Sequence, residues 1–184
     1  MPFERSVFTT LSLRASTLPR FPLLILGAER TGKSTIVKQF SSLFTAHITL
    51  DLETAADRKI FSGDTPFGEI LKAVFFLKGR DIRHKRTLIF LREIQHSPEA
   101  LQWFGQAARE ECPFHLVASS SVITPAIHEL LEAPVKKADV FHLHPFNFEE
   151  FLEAMEDTPA LEAFREVPVP VYAYEKLLHY FHLY

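Results

Sequence analysis

One eight-residue stretch, GAERTGKS from Gly27 to Ser34, constrains the fold of this chain more than any other. It follows an apolar run at 22–27 that has the length and composition of a buried strand, and it precedes a predicted helix. The spacing G-x-x-x-x-G-K-[ST] between a strand and a helix turns several backbone N–H groups toward one anion. Gly32 lets the backbone approach that anion without a Cβ. The stretch therefore predicts a phosphate-binding loop in an α/β protein.

The residues of this loop have separate expected roles. Lys33 is expected to contact the β- and γ-phosphates of a nucleotide, Ser34 to ligate magnesium through its hydroxyl, and Thr35 to contact the α-phosphate. The N-terminal dipole of the following helix favours the same negative charge. Glu29 and Arg30 either gate the phosphates or are exposed loop residues. The predicted nucleotide-binding residues are Gly27, Ala28, Glu29, Arg30, Thr31, Gly32, Lys33, Ser34 and Thr35.

Short β-like runs alternate with helical stretches along the rest of the 184 residues. This rhythm predicts a mainly parallel sheet with helices on both faces, a three-layer α/β fold. The predicted strands are 22–27, 47–52, 87–92, 114–119 and 139–144. The predicted helices lie near 33–44, 54–61, 66–78, 98–110 and 124–132. An N-terminal helix is also expected, although the arginines and hydroxyl residues of the first 20 positions resemble an organelle transit peptide as well.

Local signals mark helix starts and a change of composition near the end of the chain. Ser97 with Pro98 predicts a capped helix start, and Asn147 with Glu150 predicts a capping box. After Asp157 a proline-marked break precedes an aromatic helix, YEKLLHYFHLY. The sequence therefore predicts a nucleotide-binding domain over 1–157 and a helical tail over 158–184.

Composition restricts the partners and the compartment. The 20 Lys and Arg against 23 Asp and Glu give a net charge of −3, so no whole-surface attraction to polyanions is expected. The basic run KGRDIRHKR at 78–86 lacks interleaved aromatic residues, and nucleic acid is not an expected partner. Cys112 is the single cysteine, which indicates a reducing compartment such as the cytoplasm. No apolar run approaches the roughly 20 residues that span a bilayer.

The stretch TLIFLREIQ, from Thr87 to Gln95, raises the question of hydrolysis. In P-loop hydrolases a core strand ends with an aspartate that holds the magnesium shell, followed by a glutamate that orients and deprotonates water. Glu93 matches the glutamate and is the predicted base, the alternative being a solvated carboxylate. Arg92 stands at the aspartate position. A unit negative charge about 4 Å from a divalent ion is attracted to it by roughly 8 kcal/mol at an effective dielectric of 20. With arginine at this position, that attraction to the magnesium ion would become repulsion.

The sequence leaves three consequences of Arg92 open. Magnesium is held weakly by Ser34, phosphates and water; or Arg92 turns toward an acid such as Asp51; or the guanidinium partly replaces the metal, because it matches phosphate oxygens well. The sequence also leaves three outcomes open: slow hydrolysis, near-normal hydrolysis by rearrangement, and binding without turnover.

Four ordered motifs resemble a known family. GAERTGKSTIVKQF, LREIQHSPEALQW, VASSS and HLHPFNFEEFL are similar to the G-x-R-R-x-G-K-[ST]-T, DEIQ-x-x-P, TGSS and L-x-P-L-S-F-x-E-F motifs of bacterial and archaeal AAA-like P-loop ATPases. The resemblance covers roughly residues 20 to 155. It implies the sheet order 5-1-4-3-2, ATP and magnesium, and a C-terminal domain whose first helix the aromatic tail resembles. The chain departs from the family at Arg92.

The resemblance also implies roles for residues outside the loop. In this sheet order the fourth strand lies between the loop strand and the Glu93 strand, so Ser120 is expected to sense the γ-phosphate, the alternative being a helix cap. Lys136 and Lys137 stand where the family often has a trans-acting arginine, the alternative being a solvated pair. The sequence thus predicts an ATPase domain with Glu93, Lys33 and Ser120 as catalytic residues, whose hydrolysis drives a conformational change. A nucleotide-gated interaction module without turnover is the alternative.

Overall fold

The protein is described by a computed structural model that covers residues 7–16, 21–83, 86–110 and 112–184. Arg5 and Arg20 of the N-terminal stretch, and His84 and Lys85 of the basic run, lie outside these ranges. The described chain divides into two compact units, one from Phe8 to His144 and one that contains Pro145–Tyr184. The site described below lies in the first unit.

Five parallel strands form one sheet in the first unit. Their order is β2-β3-β4-β1-β5, which is the predicted order 5-1-4-3-2 seen from the other edge, so this prediction is confirmed. The strands are β1 (Leu23–Leu26), β2 (Ala46–Asp51), β3 (Thr87–Arg92), β4 (His115–Ser120) and β5 (Asp139–His142). The helices of this part of the chain are α1 (Val7–Ala15), α2 (Lys33–Ser41), α3 (Ala55–Arg58), α4 (Phe67–Leu77), α5 (Pro98–Gln106) and α6 (Pro125–Leu131).

Helices pack on both faces of the sheet. Ile89 and Leu91 of β3 belong to the core cluster that includes the apolar faces of α4 and α5. Because side chains alternate along a strand, Leu88 and Phe90 lie on the opposite face, where they border a cavity together with Val37 of α2. The predicted three-layer α/β architecture is therefore confirmed.

The predicted helix starts have the hydrogen bonds that their sequences suggest. The backbone N–H of Ala100 donates to Ser97 Oγ at 3.2 Å, with Pro98 in the first turn of α5. Asn147 and Glu150 form a complete capping box, which satisfies two N–H groups that the helix itself leaves unpaired. Among the described residues, no helix combines the length and the apolar character that a membrane crossing requires.

In the described residues of the second unit, three α-helices surround a small apolar core. They are α7 (Phe148–Ala154), α8 (Thr158–Arg165) and α9 (Tyr174–Leu183). Leu152 of α7 packs in one buried cluster with Leu161 of α8 and Leu177 of α9. Helix α7 thus packs with the two helices of the tail, and the division into a nucleotide-binding domain over 1–157 and a tail over 158–184 stays a prediction. That the tail begins a further C-terminal domain stays a prediction.

Candidate active site

The loop between β1 and α2 has a backbone that only particular residues can adopt. A Cβ at Gly27 would lie 2.3 Å from the carbonyl oxygen of Leu143, so a larger residue would force the backbone apart. Arg30 and Gly32 have φ angles of 62° and 92° in the left-handed region, which glycine adopts at little cost. The N–H of Gly27 donates to the Ser120 carbonyl at 3.2 Å and fixes the loop to β4. Local sequence and close packing together determine the loop.

Helix α2 begins directly after this loop, at the edge of a cavity of about 410 Å³. Gly32 precedes the helix, and no side chain caps it, so the first-turn N–H groups and the helix dipole favour an anion there. The residues that line the cavity are Glu29, Arg30, Gly32, Lys33, Ser34, Thr35, Glu53, Arg92 and Glu93. Of the predicted site residues, Gly27, Ala28, Thr31 and Ser120 lie outside this lining.

The ammonium group of Lys33 is held inside the loop. Its Nζ donates to the carbonyl oxygens of Gly27 at 2.8 Å and Ala28 at 3.0 Å. It also lies 3.7 Å from Oε1 of Glu93, and both side chains are buried. A lysine held in this way provides a fixed positive charge at the wall of the cavity, where a phosphate group would be stabilised.

Glu93 follows β3 in a conformation unusual for a residue with a side chain, with φ 52° and ψ 58°. Such strain persists only where the surroundings determine it, and here the Glu93 N–H donates to Ser119 Oγ at 3.3 Å. Burial raises the pKa of the Glu93 carboxyl, but hydrogen bonds from Gln95 and Ser121 and the charge of Lys33 outweigh it, so the pKa is lower than usual. Glu93 is therefore a carboxylate at neutral pH, the form that a general base requires.

Gln95 and Ser121 contact Glu93 and were not among the predicted site residues. Gln95 Nε2 donates to Glu93 Oε2 at 2.8 Å and to Ser121 Oγ at 2.9 Å. Ser121 Oγ donates to the same Glu93 oxygen at 2.7 Å, and Ser120 Oγ donates to Gln95 Oε1 at 2.7 Å. Ser120 thus contacts Glu93 through Gln95. The sequence contained a signal for Gln95, because Gln95 is the glutamine of the LREIQ motif that resembles the family.

Arg92, at the end of β3, forms ion pairs with two acids, one at the end of β2 and one two residues after it. Its Nη1 contacts the Asp51 carboxylate, and its Nη2 lies 2.9 Å from Glu53 Oε2. Asp51 is the register partner of Arg92 in the parallel β2–β3 pair, which brings the two side chains together. Contact with Asp51 is one of the three alternatives that the sequence left open, whereas the contact with Glu53 was not foreseen.

The donor set does not fit the magnesium site that the resemblance implies. Ser34 lines the cavity and can offer one hydroxyl oxygen, but a cation stands at the position of the metal-holding carboxylate. The nearby carboxylates of Asp51 and Glu53 are paired with Arg92. Within the described ranges, no group of three or more His, Cys, Asp or Glu residues is arranged to hold a metal ion.

Lys136 and Lys137 do not line the cavity. Lys136 Nζ lies 2.6 Å from Asp139 Oδ1 and 5.0 Å from the ring centroid of Phe21, so it is engaged within its own chain. Lys137 is exposed. The role of either lysine at a neighbouring subunit stays a prediction.

Comparisons with known proteins agree with this architecture. The sequence profile of a family described as an AAA domain matches residues 19–152. The Walker-type ATPase PABY2304 of Pyrococcus abyssi is similar in structure, with a TM-score of 0.52, 18% identity, and coverage of 92% of this chain and 60% of that one. PCH-2 of C. elegans has a TM-score of 0.50 and 16% identity, with coverage of 82% and 46%. No curated protein sequence matches significantly.

These structural likenesses are evidence about the fold alone, since both identities are low. The chain spans less than two thirds of the length of either solved protein. The remaining segments of those two proteins do not align with residues of this chain.

Proposed function

We propose that this chain, which belongs to the AAA domain family, binds ATP in the cavity at the start of α2 and hydrolyses its γ-phosphate slowly. One observation carries the proposal. The buried carboxylate of Glu93, which its neighbours keep ionised, lines the same cavity as Lys33 and Ser34 of the phosphate-binding loop. A base and a phosphate-binding group thereby share one site.

The residues present support a division of roles. The loop N–H groups and Lys33 bind the β- and γ-phosphates, while Thr35 contacts the α-phosphate. Glu93 orients a water molecule toward the γ-phosphorus and accepts its proton. Gln95 and Ser121 donate hydrogen bonds to Glu93 and hold its carboxylate in one orientation. Ser120 contacts this group through Gln95, so a change at the γ-phosphate can reach β4.

Slow turnover follows from the charge at the end of β3. Arg92 cannot hold a metal shell as a carboxylate does, and Ser34 is the loop oxygen left for a cation. Positioning and electrostatic stabilisation supply nearly all of the catalysis in phosphoryl transfer, so loss of one element of that arrangement lowers the rate without abolishing binding. Hydrolysis then drives a conformational change that a protein partner or a C-terminal region reads.

A second candidate is a nucleotide-gated interaction module without turnover. The pairing of Arg92 with Asp51 and Glu53 favours it, because these contacts leave no carboxylate at the metal position. The two candidates share the same binding site and differ only in the release of phosphate.

Thermal unfolding with and without nucleotide tests the binding site. A ligand at about 100 times its Kd stabilises the folded state by about 2.7 kcal/mol, which raises Tm by about 5 to 11 °C for a chain of this size. We expect ATP and ADP to produce such a shift and Lys33→Ala to remove most of it. Lys72→Ala, at an exposed lysine of α4, is the matched control and should keep the shift. An equal shift in Lys33→Ala would refute the site.

Release of inorganic phosphate then separates the two candidates. A slow release that Glu93→Gln abolishes supports the hydrolase. ATP binding with no release above the Glu93→Gln background supports the interaction module.

A further inference from the structure

Arg92 introduces a positive charge where related sites place a carboxylate together with magnesium. We propose that Arg92 takes the place of that pair, so that this cavity binds a nucleoside triphosphate without a divalent cation. The proposal rests on the assignment of the cavity as a triphosphate site and goes beyond it, because it specifies the ionic form of the ligand.

The charges at the site agree with this substitution. A carboxylate with one bound magnesium ion carries a net charge of one positive unit, and a guanidinium carries the same charge alone. The cavity wall contains three cationic side chains and three carboxylates: Arg30, Lys33 and Arg92, and Glu29, Glu53 and Glu93. The wall is thus neutral without a metal, whereas an aspartate at position 92 would leave it with two excess negative charges. A metal-free triphosphate would then be strongly disfavoured.

The position of the Arg92 side chain is suitable for this role. Arg92 and Ser34 both line the cavity of about 410 Å³, and both also line a second cavity of about 260 Å³ on the α2 face of β2 and β3. The Arg92 side chain therefore borders the same space as the hydroxyl residue from which a loop-bound magnesium ion would be held. The Arg92 side chain is 37% exposed, so its head group is accessible to a ligand in the cavity.

The two acids orient Arg92 and leave donors for a ligand. A guanidinium has five N–H donors in a fixed planar fork, more than contacts with the carboxylates of Asp51 and Glu53 require. Asp51 is fixed by its strand register and holds one side of the fork. Glu53 is 48% exposed, so its carboxylate can move into solvent when phosphate oxygens replace it. Glu53 thus competes with the ligand for Arg92, while Asp51 positions the arginine.

Calorimetric titration of ATP in excess EDTA and in magnesium tests the proposal. We expect the wild-type Kd in EDTA to be within about threefold of the Kd in magnesium. Because a hydrogen bond to a charged group contributes about 1.5–3 kcal/mol, Arg92→Gln should weaken binding in EDTA by about 10- to 150-fold. Arg92→Lys, which keeps the charge without the fork, should lose less. Glu53→Gln should strengthen binding in EDTA, because the competing carboxylate is gone.

Arg92→Asp tests the opposite case, in which a carboxylate stands at position 92. This variant should bind ATP poorly in EDTA and regain affinity in magnesium. Thermal unfolding without ligand shows whether each variant is folded. If the carboxylates of Asp51, Glu53 and Glu93 prevent Arg92→Asp from folding, the loss of binding by Arg92→Gln in EDTA tests the proposal instead.

The outcomes separate this proposal from the proposed function. No ATP binding by the wild type in either buffer would overturn both. Binding that requires magnesium in the wild type, or EDTA binding that Arg92→Gln leaves unchanged, would overturn only the role of Arg92.

Discussion

Lys33 Nζ lies 3.7 Å from Glu93 Oε1, so the first residue of α2 and the residue after β3 are paired across the cavity. Both side chains are buried, and the positive charge of Lys33 contributes to the lowered pKa of Glu93. A phosphate that binds at the loop competes with Glu93 for the lysine. Under the proposed function, a bound phosphate therefore frees Glu93 from Lys33, and the following variants test the consequences.

Glu93→Gln should separate binding from turnover. The amide removes a negative charge that faces the phosphates and frees Lys33 for them, so ATP should bind as tightly as in the wild type or several-fold more tightly. Loss of the general base should reduce phosphate release by about 10²- to 10⁴-fold. Glu129→Gln, at an exposed position of α6, is the matched control and should leave both measurements unchanged. Turnover retained by Glu93→Gln would assign the base to another group.

Gln95→Leu should alter the pH dependence of turnover. The hydrogen bond from Gln95 lowers the pKa of Glu93, so its removal raises that pKa while the burial remains. The acid limb of the kcat profile should then move to higher pH, since Glu93 is protonated earlier as the pH falls. KM should change little.

Ser121→Ala should move the same limb in the same direction, because Ser121 also donates to Glu93. A merely structural role for Gln95 would lower Tm without moving the limb. A kcat profile identical to that of the wild type would refute the positioning of Glu93 by these residues.

His115 should make the stability of the first unit depend on acid pH. Burial, and then the charges of Arg14 and Arg86, lower the pKa of His115 from 6.5 to about 4. The unfolded state therefore binds a proton between these values while the folded state does not, so stability is full above pH 6.5 and falls as the pH decreases toward 4. The loss between pH 7 and pH 5 should be about 2 kcal/mol.

Denaturant unfolding of wild type and His115→Phe at both pH values isolates this contribution. The ring of His115 packs against Phe44 with centroids 4.7 Å apart, so phenylalanine keeps the aromatic contact and lacks the titrating group. The wild type should lose about 2 kcal/mol more than the variant on going to pH 5. Equal losses would contradict a neutral buried histidine.

The tail should cause self-association of this chain. Tyr172 and Leu178 are 82% and 58% exposed, and clustered exposed apolar side chains promote association. Sedimentation or light scattering should show an average mass that rises with concentration, and Tyr172→Gln with Leu178→Gln should reduce this rise. Leu13→Gln, at another exposed apolar position, is the control. A strictly monomeric wild type at high concentration would contradict the prediction.

The sequence determined the features that depend on neighbours along the chain. The glycine at 32 occupies a left-handed position, and Ser97 caps a helix that starts one residue later, because backbone preferences and caps act over three or four residues. The strands could be predicted from short apolar runs, because such a run is also a local feature of the sequence. The strand order followed from the family resemblance and not from periodicity, since parallel pairing joins segments far apart in sequence.

Only the tertiary structure decided how the polar groups at the strand ends are paired. The sequence identified Glu93 and the unusual Arg92, yet it could not choose among the alternatives for Arg92 or find the role of Gln95. The register of β2 with β3 sets Asp51 beside Arg92, and the parallel pairing of β3 with β4 brings Ser121, which follows β4, to Glu93. Hydrogen bonds and ion pairs act over about 3 Å, a distance that depends on the packing of the whole sheet and not on spacing along the chain.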